Sequence, residues 1–157
     1  MTDTGTGPAA AQAPEEDSQS GWSTFFHISR FHIIVIAMAA CLTFGWIFTG
    51  AHDLLLPLIV GFDWFIVNLL NRVVDLPEDR LNKAVGTGFV DRHAKALSWL
   101  CYATLILSFP LTYLAYPELT STRVIFQIIG FAYNFKLIPT PRGLTRFKEL
   151  YFFKNVA

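Results

Sequence analysis

Charge is scarce in this chain: 15% of its 157 residues are Asp, Glu, Lys or Arg, against about 25% in an ordinary soluble domain. With 53% hydrophobic residues and a mean hydropathy of +0.42, that shortage describes a membrane protein. No basic stripe falls on a soluble face, which removes nucleic-acid binding from the candidate functions. Cysteine is nearly absent. Cys41 and Cys101 both sit in apolar runs without paired spacing, so zinc and redox motifs are excluded and the thiols read as small packing groups. The N-terminus lacks the basic start and adjacent apolar core of a signal peptide. Residues 1–21 are rich in Thr, Gly, Ala, Pro, Gln and Ser, with acids at Asp3, Glu15, Glu16 and Asp17. Such a segment buries too little surface to fold and predicts a disordered tail.

What the chain does have is long apolar runs. Trp22, Phe25, Phe26 and Ile28 alternate with His27, Arg30 and His32, the mixture of a short interfacial helix with Trp22 at headgroup depth. A first span is expected over residues 33–51, which are uncharged and close to the roughly 20 residues a bilayer crossing needs. Ala51-His-Asp-Leu54 makes the turn into a second span over 54–74, with Pro57 in its first turn, where a missing N–H does little harm. A third span is expected over 96–116, with a kink at Pro110. The fourth, over about 119–135, has an uncharged core only at 124–135 and requires Arg123 to snorkel to the interface. With the N-terminus in the cytoplasm, Arg30, Arg72, Arg80, Lys83, Arg92, Lys95, Lys136, Arg142, Arg146, Lys148 and Lys154 all fall inside, and Arg123 alone falls outside. That bias sets the orientation. The expected class is therefore an all-α integral membrane bundle with four transmembrane helices, in the cell's inner (plasma) membrane, N-terminus and motif loop cytoplasmic.

Where the second span emerges into charged sequence, Asn71, Asp75 and Asp79 recur at intervals of four, one above the next on a helix face. Converging carboxylate and carbonyl oxygens suit a hard divalent cation, and Mg²⁺ commonly binds through one or two carboxylates plus substrate phosphates. A helix end turning polar as it reaches water explains the spacing equally well. Pro77 disfavours helical geometry at Leu76, so the helix is expected to end near Asp75, with a new turn at Pro77. A cytosolic diphosphate reaches this row while a hydrocarbon tail enters the bundle, and a prenyl diphosphate is such a molecule. Departure of the diphosphate, which leaves an allylic cation, needs the leaving group's charge neutralised, and carboxylate-held Mg²⁺ can do that. Arg72, Arg80 and Lys83 lie near enough in sequence to contact phosphate oxygens. As positive-inside anchors they need no such role.

The stretch Asn71-Arg-Val-Val-Asp75-Leu-Pro-Glu-Asp79-Arg80-Leu-Asn82-Lys83 resembles the first aspartate-rich signature of the UbiA superfamily of intramembrane prenyltransferases, N-D-x-x-D-x-x-x-D followed by a basic residue. The loop from Tyr133 to Lys154-Asn155, with its prolines and bases, resembles the segment after that family's fourth helix. The resemblance covers residues 22–157. It implies a bundle of nine helices in which Mg²⁺ joins two aspartate-rich motifs to the diphosphate of an isoprenoid donor. The prenyl group then passes to an aromatic or other lipid-soluble acceptor. On this resemblance Asn71, Asp75 and Asp79 are metal positions, Asp75 and Asp79 the catalytic ones, and Asn71, Arg72, Arg80, Lys83 and Tyr133 the substrate-binding ones. Three departures stand out. Arg72 replaces the acid usual beside the first Asn, Ala84-Val-Gly-Thr-Gly88 replaces a proline-rich continuation, and no second acidic motif follows. A basic loop of the kind at Lys154 normally leads into another span, so the chain reads as the N-terminal part of a larger bundle, inactive alone.

Individual residues carry two readings each. Asp63, in the middle of the second span, is a functional candidate or a hydrogen-bonded structural acid. Asn68 lies near the face of Asn71 or serves as interhelical glue. Trp46, Trp64 and Trp99 wall an isoprenoid channel or pack generically. His93 and Lys95 read as loop residues. A non-catalytic membrane scaffold or subunit is the rival function, in which the acids merely end a helix. The Asp-Gly and Ala-Arg pairs of CDP-alcohol phosphotransferases are not found.

Overall fold

The structure, a computed structural model, describes residues 21–141 and 143–150. Of the tail expected over residues 1–21, residues 1–20 lie outside the described residues, as does the Lys154-Asn155 end, while Gly21 already belongs to the first helix. Six helices, α1 (Gly21–Ile28), α2 (Phe31–Thr49), α3 (Leu55–Val74), α4 (Leu76–Leu81), α5 (Thr87–Ala115) and α6 (Thr120–Asn134), precede a short hairpin of β1 (Ile138–Thr140) and β2 (Gly143–Thr145). The second helix α3 of the long three is the axis. Its buried Ile59, Asp63, Ile66 and Leu70 recur every three to four residues, the stripe that a core-facing helix presents. With Leu69 of the same helix, Ile28, Val90, Leu97 and Cys101 from its neighbours complete this buried cluster.

Local chemistry explains the element ends. Asp53 Oδ1 accepts the amides of Leu55 and Leu56 at 2.9 and 3.2 Å, satisfying donors that the first turn of α3 leaves free. Its other oxygen accepts the Tyr116 hydroxyl from the far end of α5. The Tyr116 bond, helped by the two amides, holds the Asp53 carboxyl below the usual carboxylate range. Between α1 and α2, Arg30 takes φ 51° and ψ 47°, a left-handed conformation that costs a non-glycine residue about 1–2 kcal/mol. Gly86, with φ 81°, opens α5, and a Cβ there would lie 2.6 Å from Ile28 Cγ2. Only glycine lets that turn sit against α1.

Three helices, α2, α3 and α5, are long and apolar enough to cross a membrane. The chain is mostly helical and compatible with a membrane protein. The third expected span begins earlier than residue 96, because α5 starts at Thr87 and runs through Pro110 without ending. The fourth expected span, over about 119–135, is not among those three. Helix α6 has 15 residues, about 22 Å at 1.5 Å per residue, short of a hydrocarbon core of about 30 Å. Arg123 does not snorkel outward either. It is 5% exposed, and its Nε and Nη2 donate to Asp63 at 2.9 and 2.7 Å. Nη1 donates to the Ser108 carbonyl and the Thr112 hydroxyl, each at 2.6 Å. Gln127 adds a donor to Asp63 at 2.6 Å. The reason is solvation: a buried guanidinium must be paired, and Asp63 on α3 supplies the matching charge.

Candidate functional site

The acid row straddles the α3–α4 junction. The Asp75 amide donates to the Asn71 carbonyl and the Asp79 amide to the Asp75 carbonyl, both at 2.9 Å, so the helical path nearly continues. Pro77 falls in the first turn of α4, where no amide donor is required of it. The side chains nevertheless part company. Asp75, 7% exposed, accepts Arg146 Nη1 at 2.8 Å and Lys148 Nζ at 2.6 Å. Asp79 accepts Arg72 Nη1 at 2.7 Å, and Arg72 Nη2 donates to the Val85 carbonyl at 2.8 Å. Arg80 turns away to an exposed ion pair with Asp91. Lys83 is exposed and left-handed, φ 51°. It closes α4 with its own amide on the Arg80 carbonyl and the Ala84 amide on the Asp79 carbonyl, the hydrogen-bond pattern usually built on glycine.

The cations on Asp75 come from the far end of the described chain. After α6, β1 and β2 pair antiparallel with Ile138 opposite Thr145. The Thr145 hydroxyl and the Arg146 amide donate to Glu149 at 3.0 and 3.3 Å. That tight turn aims Arg146 and Lys148 back at α3. Lys148 Nζ also stands 5.9 Å from the centre of the Tyr133 ring. Opposite charges brought from so far apart in sequence pin the end of α6 to the end of α3.

Beside this cluster lies a cavity of about 380 Å³. Its polar rim is Arg30, Asn68, Asn71, Asp75, Tyr133 and Lys148, and its apolar wall is Trp64, Val67, Phe126, Ile129 and Gly130. Trp64 and Phe126 stand 6.4 Å apart at a tilt of 58°. Of the expected channel tryptophans only Trp64 lines it; Trp46 stacks on His52, and Trp99 is 72% exposed. Asn71 and Asp75 reach this cavity, and so does Tyr133, whereas Arg72, Asp79, Arg80 and Lys83 are not among its lining residues. A smaller cavity of about 220 Å³ borders Asp63 and Arg123, but the five N–H donors of that guanidinium are all engaged.

The donor set fits a magnesium ion in part. Asn71 Oδ1 is buried without a hydrogen-bond partner, and it shares the cavity with the Asp75 carboxylate. Both are hard oxygen donors, and Mg²⁺ needs few from protein when phosphate and water supply the rest. Asp79 does not belong to that set, being held by Arg72. Among the described residues no group of three or more His, Cys, Asp or Glu is arranged to hold a metal. Sequence reasoning left Arg30, Arg146 and Lys148 out of the site and counted them as inward-facing charges. The signal for the last two was their presence in the second matched segment, two residues apart.

No family model matches this chain, and no curated protein or solved structure matches it.

Proposed function

We propose that the chain binds the diphosphate end of an isoprenoid at the mouth of this cavity and belongs to a membrane prenyltransferase of the UbiA type. Such an enzyme transfers the prenyl group to an aromatic or other lipid-soluble acceptor. The reading includes a fourth crossing by α6, a larger bundle of nine helices, and a cytoplasmic cavity mouth. The observation that carries it is the two-sided cavity: Asn71, Asp75 and Lys148 at one end, Trp64, Val67, Phe126 and Ile129 at the other. An amphiphile with an anionic head and a hydrocarbon tail matches that division.

Asn71 and Asp75 would hold a magnesium ion, which when bound neutralises charge on a departing diphosphate. The remaining roles belong to the chain. Lys148 and Arg146, released from Asp75 as it turns to another cation, can donate to phosphate oxygens. Trp64 and Phe126 keep water from the allylic carbon, which would otherwise be hydrolysed. Tyr133 holds Lys148 at the mouth through its ring face.

A second reading has its own support. Asp75 and Asp79 are each already paired with cations of the same chain, as expected if the row only fastens loops in a non-catalytic scaffold. The two separate by titrating the purified chain in nanodiscs with prenyl diphosphates of several lengths, with and without MgCl₂. Binding in magnesium is expected, and Asp75→Ala should weaken it at least tenfold, the loss of one charged contact. Without magnesium the same substitution frees Lys148 and Arg146, so affinity should hold or rise. Equal magnesium-supported affinity in both proteins would leave the scaffold reading standing.

A further inference from the structure

Two features of the cavity remain unexplained by the acid row. Asn68 is 7% exposed, yet its Nδ2 has no hydrogen-bond partner. It is therefore not the interhelical glue its position on α3 suggested. A buried amide donor left unpaired is costly, and native proteins retain few. Arg30, on the rim of the same cavity, is held in a left-handed backbone conformation that arginine disfavours. Its guanidinium makes no ion pair with any described residue. Strain and an unmet donor, converging on one cavity from the α1–α2 junction and from α3, are the marks of a site shaped for a ligand at the expense of stability.

Both groups only donate, and one is cationic, so the partner they recognise is an anionic oxygen. The neighbouring Trp64 and Phe126 call for hydrocarbon beside it. We infer that Arg30 and Asn68 form a phosphate-oxygen subsite for a hydrocarbon-bearing phosphate, independent of metal and distinct from Asn71, Asp75 and Asp79. The inference rests on the reading that this cavity holds a phosphate-headed amphiphile. The phosphate has two sources, an isoprenoid phosphate or a bilayer phospholipid. The interfacial helix α1 would then serve as one jaw of the site as well as an anchor.

The test is a magnesium-free titration of the purified chain in phosphatidylcholine nanodiscs, with a prenyl diphosphate in one arm and phosphatidic acid in the other. The variants are Arg30→Gln, Arg30→Lys and Asn68→Leu. Each of Arg30→Gln and Asn68→Leu should weaken binding about tenfold, the effect of removing one charge-assisted hydrogen bond. Arg30→Lys should retain most of it. Replacing an unpaired buried amide by leucine should leave the melting temperature unchanged or raise it, a pairing of tighter fold with weaker binding that a purely structural Asn68 would not give. Prenyl diphosphate and phosphatidic acid both bound as tightly by the two variants as by wild type overturns the subsite and leaves the proposed function intact. Weakening seen with phosphatidic acid alone keeps the subsite, assigns it to a membrane lipid and removes the isoprenoid reading. Binding of neither ligand by wild type overturns both.

Discussion

Arg123 spends every N–H of its guanidinium on α3 and α5, and its Cζ lies 4.7 Å from the Phe109 ring centre. Asp63 in turn receives Arg123 and Gln127. The cluster joins three helices through one desolvated charge pair with no unmet donor on the arginine. Pairs of this kind are expensive to assemble and more expensive to break, since removing one partner strands the other in a low-dielectric interior. Asp63→Ala should therefore lower stability by about 3–5 kcal/mol, measured by denaturant unfolding in detergent. The double variant Asp63→Leu/Arg123→Met removes both charges and should recover most of that loss. A double variant as unstable as Asp63→Ala would mean the packing, not the charge, holds α6 in place.

At the scale of elements, short turns decide where the site opens. The loop from α4 to α5 closes twice: Lys83 in a left-handed cap, then Gly86 pressed on Ile28. Through Val85, whose carbonyl takes Arg72, this loop also fixes the partner of Asp79. Gly86→Ala adds a methyl into a 2.6 Å gap at a positive φ, and should cost about 2 kcal/mol or more from strain and overpacking together. Thermal unfolding reads that cost, and Gly86→Ala with Ile28→Ala should restore only the steric part. A wild-type melting temperature in Gly86→Ala would show that α1 moves freely against the loop. Helix α6 is the other decisive element, since its 15 residues are too few for an untilted crossing on their own.

For the whole molecule, the contacts arrange the ends in two sets. Asp53 meets Tyr116 at one end, and Asp75 meets Arg146 and Lys148 at the other. Since α3 runs between those ends, α6 with its flanking turns must carry the chain along the same length and in the same direction. Single cysteines introduced by Ala51→Cys, Glu118→Cys, Glu78→Cys and Leu144→Cys, in a background with Cys41→Ala and Cys101→Ala, test this with a membrane-impermeant maleimide. Positions 78 and 144 should label from one side and positions 51 and 118 from the other. The side carrying 78 and 144 should be the one rich in Lys and Arg. Labelling of 118 and 144 from the same side would show that α6 lies along the membrane surface.

The apolar helices were legible in the sequence because hydropathy is additive and local: a run of uncharged residues needs no knowledge of its neighbours to demand burial. The starts of α2 and α3 and the break at Asp75 before Pro77 follow from such runs and from proline's missing donor. The ion pairs were not legible. Asp63 with Arg123, and Asp75 with Arg146 and Lys148, join residues 60 to 73 positions apart, and which charges meet depends on how the helices stack. The acid row illustrates both. Its spacing put Asn71, Asp75 and Asp79 on one face, but the break at the helix junction and the reach of Arg72 and Lys148 gave each acid a different partner. Asn68 carried two readings in the sequence and Arg30 none at the site; what joined them was the folded chain, which brought a bare amide and a strained arginine to the same cavity, because an unmet hydrogen bond is a property of surroundings and has no signature in the residue itself.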